Sequence, residues 1–266
     1  FSFLLLNCTS LGKSTTYKLR DYEQKKLANG LTVIYVKDDS LPYFTLQMLI
    51  KAGAANDPMT KTGLSYMVGE LLDKGSKKRS AIQIADSLGQ LGSGFSSSTE
   101  DDYSFFTASS LSTHKEKLIT DYAEIITEPS FSNSEVNRLK KLVISRIQKT
   151  VDNPSSFASM VYSSYVYGAH PYGRNITGTI RDVNSIKRKD VSNHYSRYFR
   201  PNNAFLAIVG DFDAEAKSLI EKKFGAWKSS EVSEVQYPLF PKIQGVQVKL
   251  VEKSDLAQTQ TRMGHK

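Results

Sequence analysis

Tyr66, Glu70 and Asp73 are spaced to share one face of a helix, and a carboxylate held there could act as a general base. A free carboxylate on a helix is more often solvated or ion-paired, so this spacing alone does not make a site. The chain has four histidines, His114, His170, His194 and His265, and no two lie within one helical turn of each other. A zinc site of the H-E-x-x-H kind is excluded by that spacing. With Cys8 as the only cysteine, neither an internal disulfide nor a Cys-rich zinc module can form. No Ser-His-Asp triad can be assigned from spacing, because such residues are common in proteins and need not be close in sequence. Gly89, Gly92 and Gly94 do not make the phosphate-binding G-x-G-x-x-G pattern and read as a helix end and a bend. His170 reads as structural, His114 as opening a helix and His194 as lying mid-helix.

The elements that must position these residues follow from periodicity. Residues 31–38 and 44–52 read as strands, rich in β-branched and aromatic side chains, with a turn through Asp39–Pro42. Over 62–73 the period changes: Leu64, Met67, Val68, Leu71 and Leu72 predict a helix with one buried face, stopped by Gly75. Ser80 caps a second helix whose face is Ala81, Ile84, Ala85, Leu88 and Leu91. Strands are expected near 94–99 and 103–110. Helices are expected near 113–127, 134–149, 155–167, 188–199 and 213–224. The 134–149 helix opens on Ser132-x-x-Glu135, a capping-box pattern, with Val136, Leu139, Leu142, Val143 and Ile147 as its apolar face. Residues 204–210 form an apolar strand, Pro238 and Pro241 mark a linker over roughly 228–245, and 246–252 and 258–263 read as strands. Strand pairs followed by groups of helices predict an α+β fold, an antiparallel sheet covered by helices.

Composition sets the outer limits. The 266 residues carry 35 Lys+Arg against 27 Asp+Glu, a formal charge of +8, and 39% are hydrophobic. That excludes a disordered, collagen-like or coiled-coil chain. The basic clusters at 77–79, 140–141 and 187–189 are separated and flanked by acids, so they read as solvated surface and not as a nucleic-acid face. The apolar start Phe1–Leu6 followed by Asn7-Cys8 resembles the end of a secretory signal running into a lipobox, with Cys8 as the residue that would carry the lipid. On that reading the natural start lies upstream of Phe1, and residues 1–16 are a signal-peptide remnant and tether. Asn7 and Asn175 also fall in N-x-S/T patterns, which matter only in a eukaryotic secretory setting.

Several segments, in order, carry a resemblance. They are Leu27-x-Asn29-Gly30-Leu31-Thr32-Val33, then Gly53 and Gly63-Leu64, then Ala169-His170-Pro171-Tyr172-Gly173 with Gly178 and Ile186. Tyr198-x-Arg200-Pro201-Asn202-Asn203 follows, with Ala207-Ile208-Val209-Gly210-Asp211 after it. From about Tyr22 to Gly264 the chain resembles the M16 metallopeptidases, the family of insulinase, pitrilysin and the mitochondrial processing peptidase. The resemblance implies a domain of that fold over 17–228, a linker over 229–245 and the start of a second, homologous domain over 246–266. It also implies a zinc motif, H-x-x-E-H, on the first long helix and a distal Glu on a later one. Here Tyr66 stands for the first His, Gly69 for the Glu, Glu70 for the second His and Arg146 for the distal Glu. A neutral phenol is a poor ligand, a glycine cannot act as base, and an arginine brings a positive charge to a cation site. A Glu70–Arg146 ion pair is one way such a site could be filled.

The resemblance therefore implies a noncatalytic subunit with no zinc of its own. It would share a peptide chamber with a zinc-bearing M16 partner, in the bacterial envelope as a periplasmic or outer-membrane lipoprotein. In the family an Arg/Tyr pair for substrate comes from the far half of a subunit, which would lie beyond Lys266. Two alternatives stay open. One is a scaffold protein with no peptidase role, and the other is a metalloendopeptidase with an atypical site. Nucleic-acid binding rests on net charge alone.

Overall fold

A computed structural model of the chain describes residues 20–233, 235–242, 244–252 and 258–265. Six strands make one sheet: β1 (Glu23–Lys26), β2 (Thr32–Lys37), β3 (Tyr43–Ile50), β4 (Phe95–Thr99), β5 (Ser104–Leu111) and β6 (Ala204–Gly210). Their spatial order is β1-β2-β6-β3-β5-β4. Every pair is antiparallel except β2 with β6, where Thr32 lies opposite Phe205 and Lys37 opposite Gly210. The fold is α+β as the sequence predicts, with that one parallel pair added.

Alternation along the strands decides which face is buried. Phe44, Leu46, Met48 and Ile50 of β3 have no exposed surface, and in register beside them lie Leu206 and Ile208 on one side, Phe106 and Ala108 on the other. Each of these side chains except Ala108 contributes roughly 1.5–3 kcal/mol when fully removed from water. Helices cover this face: α1 (Leu64–Leu71), α2 (Ala81–Gln90), α3 (Lys115–Thr127), α4 (Asn133–Asp152), α5 (Pro154–Tyr167), α6 (Ile180–Ser185), α7 (Arg188–Tyr198) and α8 (Ala214–Gly225). Tyr122 of α3 is fully buried, and its hydroxyl accepts from the Met48 N–H and donates to the Phe106 carbonyl, fixing the helix to two strands. The opposite face, with Ile34, Gln47, Phe105, Thr107, Phe205 and Val209, is only partly buried.

The structure departs from the sequence expectations in places with a common cause. β1 is all polar and all exposed, so no hydrophobic pattern announced it. Helix α6 is too short for a period to register. Leu142, assigned to the apolar face of α4, is 53% exposed, and Ala85 of α2 is also on the surface. Among the described residues, 246–252 and 258–265 form no strand: Val246, Val248 and Leu250 alternate but stay exposed, because a strand needs a partner for its backbone groups. Residues 229–245, where described, contain no helix or strand.

Candidate functional site

Helix α1 begins where Gly63 takes a left-handed φ of 91°. A Cβ there would sit 2.6 Å from the Thr177 carbonyl oxygen, so glycine is required both by conformation and by space. The first N–H groups of a helix have no partner within it. Asp57 supplies one: its carboxylate accepts from the N–H of Gly63 at 2.7 Å, Leu64 at 3.0 Å and Ser65 at 2.8 Å, and from the Ser65 hydroxyl at 2.6 Å. Burial pushes the Asp57 carboxyl up to about 6, against the pull of these hydrogen bonds.

Ser65 Oγ also lies 2.7 Å from the Gly53 carbonyl oxygen and 3.0 Å from His194 Nε2 on α7. The structure thus brings an Asp, a Ser and a His together, and their order decides what they can do. A nucleophilic serine needs the imidazole between itself and the carboxylate. Here the serine is in the middle. With both oxygens beside it acting as acceptors for its single proton, Nε2 must donate to Oγ, so the imidazole is not a base towards it. Burial holds His194 neutral, its pKa pushed down to about 3. All three residues are at most 6% exposed. The cluster fastens α1 to α7. Sequence reasoning missed it, since Asp57 lies six residues before Gly63, outside any local capping pattern.

On the next turn of α1 the four candidate positions separate. Tyr66 faces α4, where Arg146 donates from Nη1 to the Tyr66 hydroxyl and its guanidinium carbon lies 5.6 Å from the ring centre. Gly69 faces β4: a Cβ there would be 2.6 Å from Ser97 Oγ and 3.4 Å from Phe106 and Thr99 side-chain atoms. Helix and strand are therefore in contact where a longer side chain would need room. Glu70 makes no hydrogen bond or ion pair among the described residues, and burial first, then Asp73, raises its carboxyl above the usual range against the pull of Lys74. Asp73 pairs with Lys74 at 2.7 Å. The Glu70–Arg146 ion pair is not formed; Arg146 is instead bonded to the phenol one turn earlier. Tyr66, Glu70 and Asp73 thus do not converge on one acid–base centre.

These residues do not fit a zinc ion. Glu70 is the one anionic donor of the four positions, and a guanidinium lies across the phenol that would have to ligate. Among the described residues no three His, Cys, Asp or Glu side chains converge to hold a metal. His170 is buried, accepts from the Tyr172 N–H through Nδ1 at 3.2 Å and stacks on Phe240 with ring centres 4.2 Å apart. Tyr172 donates to Asp102 at 2.6 Å. The His-Pro-Tyr-Gly turn is thus a clasp for the segment around Tyr237 and Phe240. His114 stands just before α3 without a side-chain capping bond, and lines a groove of about 860 Å³ with Lys115, Lys222 and Lys223, which shares no residue with α1 or α4. The Asn175 side chain is turned onto the Thr177 N–H at 3.1 Å. Cys8 and Asn7 lie outside the described residues.

Residues 32–180 match the model of the insulinase family, peptidase family M16, and residues 185–264 match that of the peptidase M16 inactive domain. An uncharacterized zinc protease of Rickettsia felis is 24% identical over 214 residues, 80% of this chain and 52% of its own length. The chain spans about half the length of such curated relatives. A peptidase M16 inactive domain from Pseudomonas fluorescens superposes with a TM-score of 0.77 at 21% identity, over 83% of this chain and 54% of that one. The periplasmic protease PqqL of Escherichia coli superposes with a TM-score of 0.74 at 16% identity, over 84% of this chain and 26% of that one.

Proposed function

The chain belongs to the insulinase family of peptidases, family M16, and from that premise we propose that it is a noncatalytic peptide-binding subunit working beside a zinc-bearing chain of the same family. The observation that carries this reading is the state of the helix where the family's metal motif falls. Arg146 is bonded to Tyr66, and Gly69 is closed against Ser97. Gly69 has no side chain to act as a base, and Glu70 is the one anionic donor among the four positions, which supports the reading. What this chain offers is surface. The partly buried face of the sheet, with Gln47, Phe105, Thr107 and Phe205, mixes apolar and hydrogen-bonding groups as a wall for unfolded peptide should. Among the described residues β4 is an edge strand, paired only with β5, and its other side can accept an extended peptide through the backbone. Zinc, and the water it would activate, belong to the partner in this proposal.

An envelope setting is part of the same proposal. It is supported by the periplasmic structural neighbour and by the lipobox-like sequence at Cys8. No helix among the described residues is long and apolar enough to cross a membrane.

The test is purification of the full-length protein from its native cells, with metal analysis and sequencing of co-purifying chains. A stoichiometric partner carrying H-x-x-E-H and one zinc per pair is the expected result. A stable assembly with no zinc-bearing partner would move the assignment to a scaffold role. One zinc per copy of this chain alone would overturn it in favour of an atypical enzyme.

A further inference from the structure

The misfit between these residues and a metal has a positive side. At the position aligned with the family's distal carboxylate ligand stands a cation. Arg146 is exposed, and among the described residues its guanidinium meets no carboxylate; its side chain is bonded to a neutral phenol. Of the five N–H groups in this rigid fork, one is bonded to the Tyr66 hydroxyl, with the guanidinium carbon 5.6 Å from the ring centre. The remaining donors are pre-oriented, so little side-chain entropy is lost when they engage a planar anion. Glu70, one turn further along α1, forms no ion pair with this charge.

The position matters as much as the charge. Tyr66 and Gly69 are three residues apart, which places them about 60° apart around the helix and roughly 4.5 Å apart along it. Gly69 meets β4 at Ser97, so the helix that carries Tyr66 packs against the edge strand that the proposed function uses for peptide.

We propose that Arg146, oriented by Tyr66, is a receptor for a peptide carboxylate, so that the former metal-motif region has become an anion-binding subsite. The carboxylate can come from the C-terminus of the peptide or from an acidic side chain near its end. Charge-assisted pairing to a guanidinium of this geometry favours a carboxylate over a neutral amide by roughly tenfold or more. This inference rests on the peptide-binding reading above, and its test separates the two.

The test uses the full-length protein, with its partner chain where one co-purifies, and three peptides of about twelve residues built from Ser, Val and Thr, each labelled at its N-terminus with an uncharged boron-dipyrromethene dye. One ends in a free carboxylate, one in a carboxamide, and one in a carboxamide with Asp as the penultimate residue. Fluorescence anisotropy gives the three affinities. Expected is at least roughly tenfold tighter binding of one or both carboxylate peptides than of the plain carboxamide. Which of the two it is names the source. Arg146→Gln should bring that ratio to about one. Tyr66→Phe, which keeps the ring and removes the hydrogen bond, should reduce it by several-fold. Equal, measurable binding of all three peptides overturns the carboxylate receptor and leaves the peptide-binding reading standing. So does a ratio that Arg146→Gln leaves unchanged. No binding of any peptide overturns both.

Discussion

At the residue scale, two positions on or beside α1 carry measurable consequences. Gly69 sits in a helix interior, where alanine ordinarily gains about 1 kcal/mol. The 2.6 Å approach to Ser97 Oγ reverses that sign. Gly69→Ala alone should cost roughly 1–2 kcal/mol, as overpacking does, whereas in a Ser97→Ala background it should stabilise. Urea unfolding of the four proteins in that cycle checks it, and additive effects would mean the contact is not the cause. Asp57 gives a pH signature. Its folded pKa, raised to about 6, exceeds the unfolded value near 4, so the folded state binds the proton more tightly. Its contribution to stability is therefore fully present below about pH 4 and is lost as pH rises through about 6. Relative to Asp57→Asn, the wild type should lose on the order of 3 kcal/mol between those values, with no further change above. Equilibrium unfolding at several pH values measures this, and a flat difference would place the carboxyl in a less buried setting.

At the element scale, α1 is positioned by two glycines set back to back. Gly63 and Gly178 both have positive φ, and a Cβ on Gly178 would lie 2.1 Å from the Thr62 carbonyl oxygen. Because the obstacle on each side is backbone, alanine at either position should cost roughly 3 kcal/mol or more. The check is urea unfolding, and a loss below about 1 kcal/mol would show that the two turns can part. Neither contact was visible in sequence, although both glycines were singled out by the family resemblance. Helical periodicity made α1 and α4 legible, because each buries a continuous apolar stripe. It did not say which residue of α1 would face Arg146, since Tyr66 and Glu70 differ by only 40° around the axis and the choice is made by packing against β4. β-Branched and aromatic content made β3 legible and a continuous apolar run made β6 legible, because both are central. The reading of 246–252 as a strand was misleading, since pattern names a face and pairing makes a strand.

At the scale of the whole molecule, the proposal that zinc belongs to a partner chain can be tested directly. The full-length chain, separated from any partner and dialysed after exposure to excess zinc, should retain well below about 0.1 zinc per chain, because three protein ligands are the usual minimum for such a site. Inductively coupled plasma mass spectrometry reads the ratio, and a value near one would revive the atypical enzyme. The net charge of +8 had suggested little about partners, and the structure shows why. Many cations are already paired, Lys115 with Asp213 and Arg79 with Asp121 and Glu124 among them. The parallel pairing of β2 with β6 has a consequence of another kind. β6 lies between β2 and β3, strands that are neighbours in sequence yet do not pair with each other. During synthesis the ribosome delivers β2 and β3 early and β6 last of the six. Until then the two older strands face a vacant slot, and the nascent chain must wait with apolar edges open. Folding should therefore be slow and dominated by distant contacts, and a chaperone that shields the slot would raise the yield.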